Sequence, residues 1–248
     1  HKTIDSIEVR YPRIIDGDVE TFVSTLIHQS ICDIDRYGKY LIFILDHDAF
    51  ISHLRMEGKY NIKQKDEPYD KHDHIIFHMT DGTDLRYNDT RKFGRMQLVD
   101  KEYYREYPPL SRLGQEPMEA TFDYIYPHIH QSHLPIKQLL LDQTIFTGIG
   151  NIYANEICFR MGMDPRTRGD RLSKKRILEL IEVSSTILKE AIAQGGTTIH
   201  SFDANGIHGL FQVTLSVHAQ TTCSKCKGPI KKITIAGRGT YYCPHCQK

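Results

Sequence analysis

Up to Met96, short runs of β-branched and aromatic residues recur between turn signals: Ile4 to Val9, Ile31 to Ile34, Tyr40 to Leu45, Phe50 to Leu54, His74 to Met79, Leu85 to Tyr87 and Arg95 to Val99. Asp81-Gly82 marks a hairpin turn among them. This pattern predicts a half built mainly of strands. From Asp18 to His28 the apolar positions instead follow helical spacing (Val19, Phe22, Val23, Leu26), which predicts one helix within that half. After Tyr107-Pro-Pro-Leu and Gly114-x-x-Pro117 the period changes for good. Helices are predicted over Ile136 to Leu141, Ile152 to Met161 and Ser173 to Gln194, the last carried by Leu172, Ile177, Leu180, Ile181, Ile187, Leu188 and Ile192 and stopped by Gly195-Gly196. A linker therefore falls near residues 104 to 117.

The chain has 248 residues, 40% hydrophobic and 25% charged, which excludes a disordered or low-complexity protein and suits two modest domains plus a small appendage. Its longest apolar run, Tyr40 to Leu45, is far short of the roughly 18 residues that cross a bilayer, so no membrane span is expected. The N-terminal stretch has no apolar signal core, and a cytoplasmic location is expected. A net charge of +1 says little about partners, but its distribution says more. From Thr221 to Lys248 stand Lys225, Lys227, Lys231, Lys232, Arg238 and Lys248, with no Asp or Glu.

The six cysteines are equally uneven. Cys223, Cys226, Cys243 and Cys246 form two C-x2-C knuckles, the spacing of a closed, structural zinc site with four thiolates. Two disulfides are the alternative, disfavoured in a chain without a secretory signal. Four thiolates on one Zn2+ leave a charge of −2, so the basic module stays positive. Cys32 and Cys158 lie among apolar neighbours and are expected to be small core residues, and His245 a bystander.

Between two predicted helices stands Thr147-Gly-Ile-Gly-Asn-Ile-Tyr-Ala-Asn-Glu156. Its glycines permit close backbone approach. Asn151 reads as an N-cap, and a helix beginning at Ile152 would aim free N–H groups at an anion such as phosphate. An ordinary interhelical turn is the alternative.

Four segments, Thr147 to Glu156, Asp89-Thr-Arg-Lys-Phe-Gly94, His53-Leu-Arg-Met-Glu-Gly58 and Ala236-Gly-Arg-Gly-Thr-Tyr-Tyr-Cys-Pro-x-Cys-Gln247, resemble bacterial formamidopyrimidine-DNA glycosylase. The likeness runs in the family's order over essentially the whole chain. It implies an α+β protein: an N-terminal β-sandwich at residues 1–112, a helix-two-turn-helix domain with a base-capping loop at 113–214, and a β-hairpin zinc finger at 215–248 holding one structural Zn2+. The implied activity is base-excision repair of damaged double-stranded DNA. The family removes 8-oxoguanine and ring-opened purines and cuts the abasic strand by β- and δ-elimination. A monomer associated with the bacterial nucleoid is expected.

A base inside a duplex is out of reach, so a glycosylase must evert the nucleotide and fill the gap. The resemblance assigns the filling wedge and its cation to Met56, Arg91 and Phe93, and brings Glu57 to the everted base. Lys39 resembles the family's hairpin lysine, an acid in β-elimination; Arg238 resembles the finger arginine of the δ step and of phosphate contact. His72, Lys137 and Asn151 fall at DNA-contact positions, whereas His53 and His74 are expected to be structural. Ser132 stands where relatives commonly carry lysine, within His128-Ile-His-Gln-Ser-His133, which predicts a weaker, more pH-dependent grip there. Gly195 to Gln220 matches the base-capping loop, with Gly206 and Gly209 to make it mobile.

Two further readings are a pyrimidine-directed glycosylase of the endonuclease VIII type and a non-catalytic binder of damaged DNA. The Arg91-Lys-Phe93 wedge and the long capping segment oppose the first. The second follows from a departure. The family's nucleophile is an N-terminal proline followed by a glutamate, and neither stands at His1-Lys-Thr-Ile-Asp-Ser-Ile. That stretch resembles a later part of the family sequence, so the chain is expected to lack an N-terminal segment and, as it stands, to bind lesions without turnover.

Overall fold

The computed structural model describes residues 2–196 and 214–248, which form two compact units dividing between Ser111 and Arg112. The first is the strand-rich one. Its strands are β1 (Lys2–Val9), β2 (Ser30–Tyr37), β3 (Tyr40–Leu45), β4 (Ala49–His53), β5 (Lys59–Gln64), β6 (Asp73–Met79), β7 (Thr83–Asn88) and β8 (Arg95–Val99), in spatial order β5-β7-β6-β1-β2-β3-β4-β8. β1 belongs to two layers. Lys2 and Thr3 pair with β2, while Ile4 to Val9 pair with β6, with a register shift between Ile4 and Ser6, so the ribbon folds into two facing sheets.

Alternating inward residues from both layers meet in one core. Phe50 stacks on Phe43 at 4.5 Å and on Phe77 of the opposite layer at 5.5 Å, and Tyr60 reaches Phe43 at 5.1 Å. The helix α1 (Val19–Leu26) starts at Asp18, whose carboxylate accepts the Thr21 N–H at 2.7 Å, and its Phe22 meets Phe50 at 5.6 Å. Of these elements β5 is absent from the sequence-based reading. It is an edge strand whose Lys59, Asn61, Lys63 and Gln64 dilute the apolar signal.

The second unit packs α2 (Phe122–His130), α3 (Ile136–Leu141), α4 (Asn151–Arg160) and α5 (Lys174–Ala193) around Ile125, Ile129, Leu140, Phe146, Ile157, Leu180 and Ile187. Sequence periodicity missed α2 because Pro127 and polar-tipped aromatics break its stripe. Strands β9 (Lys231–Ile235) and β10 (Arg238–Tyr242) form an antiparallel hairpin in the same unit, and Phe159 of α4 packs with Val217, Cys223 and Cys243. The α+β architecture is therefore the expected one. Two details differ from expectation. Cys158 is buried, but Cys32 is exposed on β2 beside Asp46 rather than in the core. Asn151 is the first helical residue of α4; Gly150 occupies the cap position. Among the described residues no helix is long and apolar enough to cross a membrane.

Candidate nucleic-acid interface

In the first unit, two loops emerge side by side at one end of the sandwich. One joins β4 to β5 and carries Met56 and Glu57; the other joins β7 to β8 and carries Arg91 and Phe93. Met56 is 61% exposed and Phe93 51%, an unfavourable display for large apolar side chains that marks a contact surface. Arg91 lies over the Phe93 ring at 4.8 Å. Glu57 is half-buried, and Thr90 donates a hydrogen bond to its carboxylate.

What shapes these loops is Asp89, which has no solvent exposure. Its carboxylate accepts the backbone N–H groups of Arg91, Phe93 and Gly94, each at 2.9 Å, and the Tyr87 hydroxyl at 3.2 Å. Its backbone N–H donates to the His72 carbonyl at 3.1 Å. The ring Nε2 of His74 bonds its carbonyl oxygen at 2.8 Å. Burial, together with Asp89 alongside, pushes the Tyr87 phenol far above its ordinary range, so it remains a donor. Gly58 and Gly94 close on the same hydroxyl from the two loops. A Cβ at Gly58 would stand 2.4 Å from the Tyr87 oxygen, and one at Gly94 would collide with it.

His72 is half-buried just before β6, with its Nδ1 buried and unpartnered. Behind it, the Arg86 guanidinium is buried against Asp84 and donates to the carbonyls of Gln64, Glu67 and Pro68, which pins the loop leading to His72. Lys39 is exposed at the tip of the β2–β3 hairpin, opposite neither loop in sequence but electrostatically close to His53.

His53 itself is held neutral. Burial, then the nearby Arg55 and Lys39, lower it from 6.5 to about 4, and its Nδ1 accepts the Arg55 N–H at 3.0 Å. Protonation therefore favours the unfolded chain. Stability is full above about pH 6.5 and falls between there and pH 4, and the downward shifts of His74 and His218 act with the same sign. We expect His53→Gln to reduce the loss of melting temperature between pH 7 and pH 5; an unchanged loss would remove His53 from this account.

In the second unit, the four finger cysteines converge. Their sulfurs all lie within 4.8 Å of one another, with Cys223 to Cys246 at 3.9 Å and Cys226 to Cys243 at 3.5 Å. Four sulfurs at about 2.3 Å from a tetrahedral Zn2+ would be separated by nearly the same distances, so the donor set fits one structural zinc ion. Gln247 braces the second knuckle, accepting from the Cys243 N–H and donating to the Met163 carbonyl. His245 is exposed and outside the cluster.

The finger hairpin turns at Ala236-Gly237, both at positive φ, 49° and 70°, as a two-residue turn matching the strand twist requires. Arg238 follows at once, exposed. The expectation that Lys137 offers its ammonium to phosphate needs correction. Lys137 is fully buried in α3, and its ammonium donates to the Gly239 carbonyl at 3.0 Å and the Thr240 hydroxyl at 2.7 Å. Asn151 donates to the same carbonyl at 3.1 Å. Burial, with Arg238 nearby, lowers the Lys137 ammonium to about 8. Both residues thus grip the strand next to Arg238. The start of the finger is held by Glu156, whose carboxylate accepts the N–H groups of Ser216, Val217 and His218. Ser132 caps locally, its hydroxyl accepting the Leu134 N–H. Most of the expected base-capping loop lies outside the described residues.

Sequence reasoning missed Asp89, Tyr87 and Glu156. Gly58 and Gly94 stand in the motifs, but their convergence on one tyrosine is set by the fold.

The comparisons with known proteins agree along the whole chain. The family model for the formamidopyrimidine-DNA glycosylase N-terminal domain matches residues 1–96, that for the H2TH domain of the same glycosylase residues 113–203, and that for a zinc finger found in FPG and IleRS residues 222–248. Formamidopyrimidine-DNA glycosylase of Lactobacillus helveticus is 44% identical, the match covering 99% of this chain and 91% of that protein. The Bacillus subtilis protein of that name is also 44% identical, over 99% and 92%. Among solved structures, the Lactococcus lactis protein bound to DNA containing an abasic site is 37% identical with a TM-score of 0.94, over 100% of this chain and 93% of that one. A mutant of it bound to Fapy-dG-containing DNA is 36% identical with the same TM-score and coverage.

Proposed function

Because this chain belongs to the formamidopyrimidine-DNA glycosylase family, we propose that it recognises oxidised purines in duplex DNA by everting them and holding the gap with Met56, Arg91 and Phe93. The family's activity is base-excision repair: glycosylase action on 8-oxoguanine and formamidopyrimidines, followed by cleavage at the abasic site. The observation that carries the residue assignment is the pair of exposed apolar tips, Met56 and Phe93, on loops tied to one buried carboxylate. Such tips gain little in water and much between unstacked bases.

Each remaining side chain has a role its position supports. Arg91, braced on Phe93, places a cation beside the gap. Glu57, fixed by Thr90, offers an acceptor to the everted base. His72 contacts the backbone. Lys39, an exposed ammonium on a tight hairpin, assists β-elimination by proton transfer. Arg238 binds phosphate and assists the δ step, while Lys137 and Asn151 serve DNA through it by fixing its strand. Zinc supplies no chemistry; it holds the finger. The protein acts as a monomer on damaged duplex DNA in the cytoplasm, at the nucleoid.

Incision assays with the native protein test the substrate class: a duplex with 8-oxoguanine opposite cytosine is cut, and one with thymine glycol is cut more slowly. The reverse order would favour the pyrimidine-directed relative. Met56→Ala tests the wedge. It should leave affinity for undamaged duplex unchanged and weaken binding to a duplex with a tetrahydrofuran abasic analogue by roughly tenfold, the worth of one buried side chain. Equal losses on both duplexes would refute the wedge assignment.

A further inference from the structure

The two loop tips are not independent. They rest on a single buried pair, Tyr87 and Asp89, that makes no claim on DNA itself. One oxygen of the Asp89 carboxylate takes the N–H groups of Phe93 and Gly94 and the Tyr87 hydroxyl; the other takes the N–H of Arg91. That arrangement fixes the height of the Phe93 tip. The same Tyr87 hydroxyl fills the space left by the missing side chains of Gly58 and Gly94, so the Met56 loop is seated against it from the other side. Through its own N–H, Asp89 also holds the His72 carbonyl. Three candidate DNA-contact segments thus share one support.

We propose that Asp89 and Tyr87 are positioning residues for lesion recognition: together they set the spacing of the Met56 and Phe93 tips, so that gap filling depends on them while general duplex binding does not. The inference rests on the wedge reading above and goes beyond it by naming what registers the two wedge side chains. The physical basis is rigidity. A tip must arrive within a fraction of an ångström of the gap to exchange water for base contacts, and a carboxylate with four donors leaves its loop no alternative hydrogen-bond pattern. A charge-assisted set of this kind is also costly to break, since the freed Gly94 N–H is left buried and those of Arg91 and Phe93 part-buried.

The test uses Asp89→Asn and Tyr87→Phe in the full chain, with Tyr60→Phe as control. Asparagine keeps one acceptor oxygen but turns an NH2 toward a backbone N–H. Phenylalanine removes one donor and keeps the ring. Tyr60 donates to Ser52 at 2.8 Å and packs on Tyr87 at 5.3 Å, so its variant perturbs the same core outside the hub. The readouts are the ratio of affinities for tetrahydrofuran-containing and undamaged duplex, the fluorescence rise of 2-aminopurine opposite the abasic analogue, and the thermal melt. Asp89→Asn should lower the ratio by roughly tenfold and Tyr87→Phe by about threefold, the range for one hydrogen bond to a charged group and one weaker one. Both should blunt the fluorescence rise and keep undamaged-duplex affinity. Tyr60→Phe should lower the melt and keep the ratio. If Asp89→Asn does not fold, Tyr87→Phe decides alone. A wild-type ratio in a folded hub variant, or an equal fall of the ratio in Tyr60→Phe, overturns the proposal. Absence of any abasic preference in the wild type sinks the wedge reading and the hub with it.

Discussion

Stripping zinc from the finger, or replacing Cys243 with serine, abolishes tight duplex binding while the strand-rich unit stays folded. The reason is the size of what remains. Without the metal, the finger has two five-residue strands and a small buried cluster of Phe159, Val217, Cys223 and Cys243, two of which are ligands, with Ile230 and Tyr241 partly buried against it. An isolated two-stranded hairpin is marginal at best in water, and structural zinc contributes on the order of 10 kcal/mol to such a module. Loss of the hairpin releases Arg238 and lets the Lys137 ammonium lose both its acceptors, leaving a buried charge uncompensated. The sandwich has its own core around Phe43, Phe50 and Phe77, so it should melt separately. Atomic absorption should find one zinc per chain. After chelation, duplex affinity should fall by on the order of 100-fold, the value of about two charge-assisted contacts. Metal-free protein with unchanged affinity would refute this.

The features that read directly from the sequence are those with a strong local signal. Alternating β-branched runs marked seven of the strands, helical spacing marked α3 to α5, and the four-cysteine spacing marked the metal centre. What failed was whatever tertiary context decides. β5 is polar because it lies at an edge and needs only Tyr60 to join the core. α2 hides its period behind Pro127. Cys32 sits where β2 shifts register between Ile31 and Asp33, which leaves it exposed together with Asp33 and Ile34. Asn151 carries the right side chain for a cap but sits one residue too late, and spends its amide on the hairpin instead. Asp89 stands in one of the motifs, yet nothing in the motif marks it as the carboxylate that accepts three backbone N–H groups and the Tyr87 hydroxyl. Its role depends on where Gly58 and Gly94 converge, and no linear spacing encodes that.

Replacing Lys137 with methionine should reproduce most of the DNA-binding defect of Arg238→Ala, and the two defects should not add. In the folded chain the Lys137 ammonium has no solvent exposure and faces the carbonyl and hydroxyl immediately after Arg238. Methionine keeps the volume but frees both acceptors, letting the strand behind Arg238 shift. Arg238→Ala should weaken binding to damaged and undamaged duplex alike and flatten the salt dependence by about 0.9 in log–log slope, the signature of one phosphate contact. Lys137→Met should flatten it by no more than that. In the double variant the slope and affinity should match Arg238→Ala alone, because a lysine acting through the arginine has nothing left to act on. A lysine that touches phosphate itself predicts the opposite: additive losses and a second fall in slope of about 0.9. Thr240→Val offers a check that spares the lysine, removing one acceptor and producing a smaller defect that is likewise absent without Arg238. Additivity in both cycles would return Lys137 to the DNA surface.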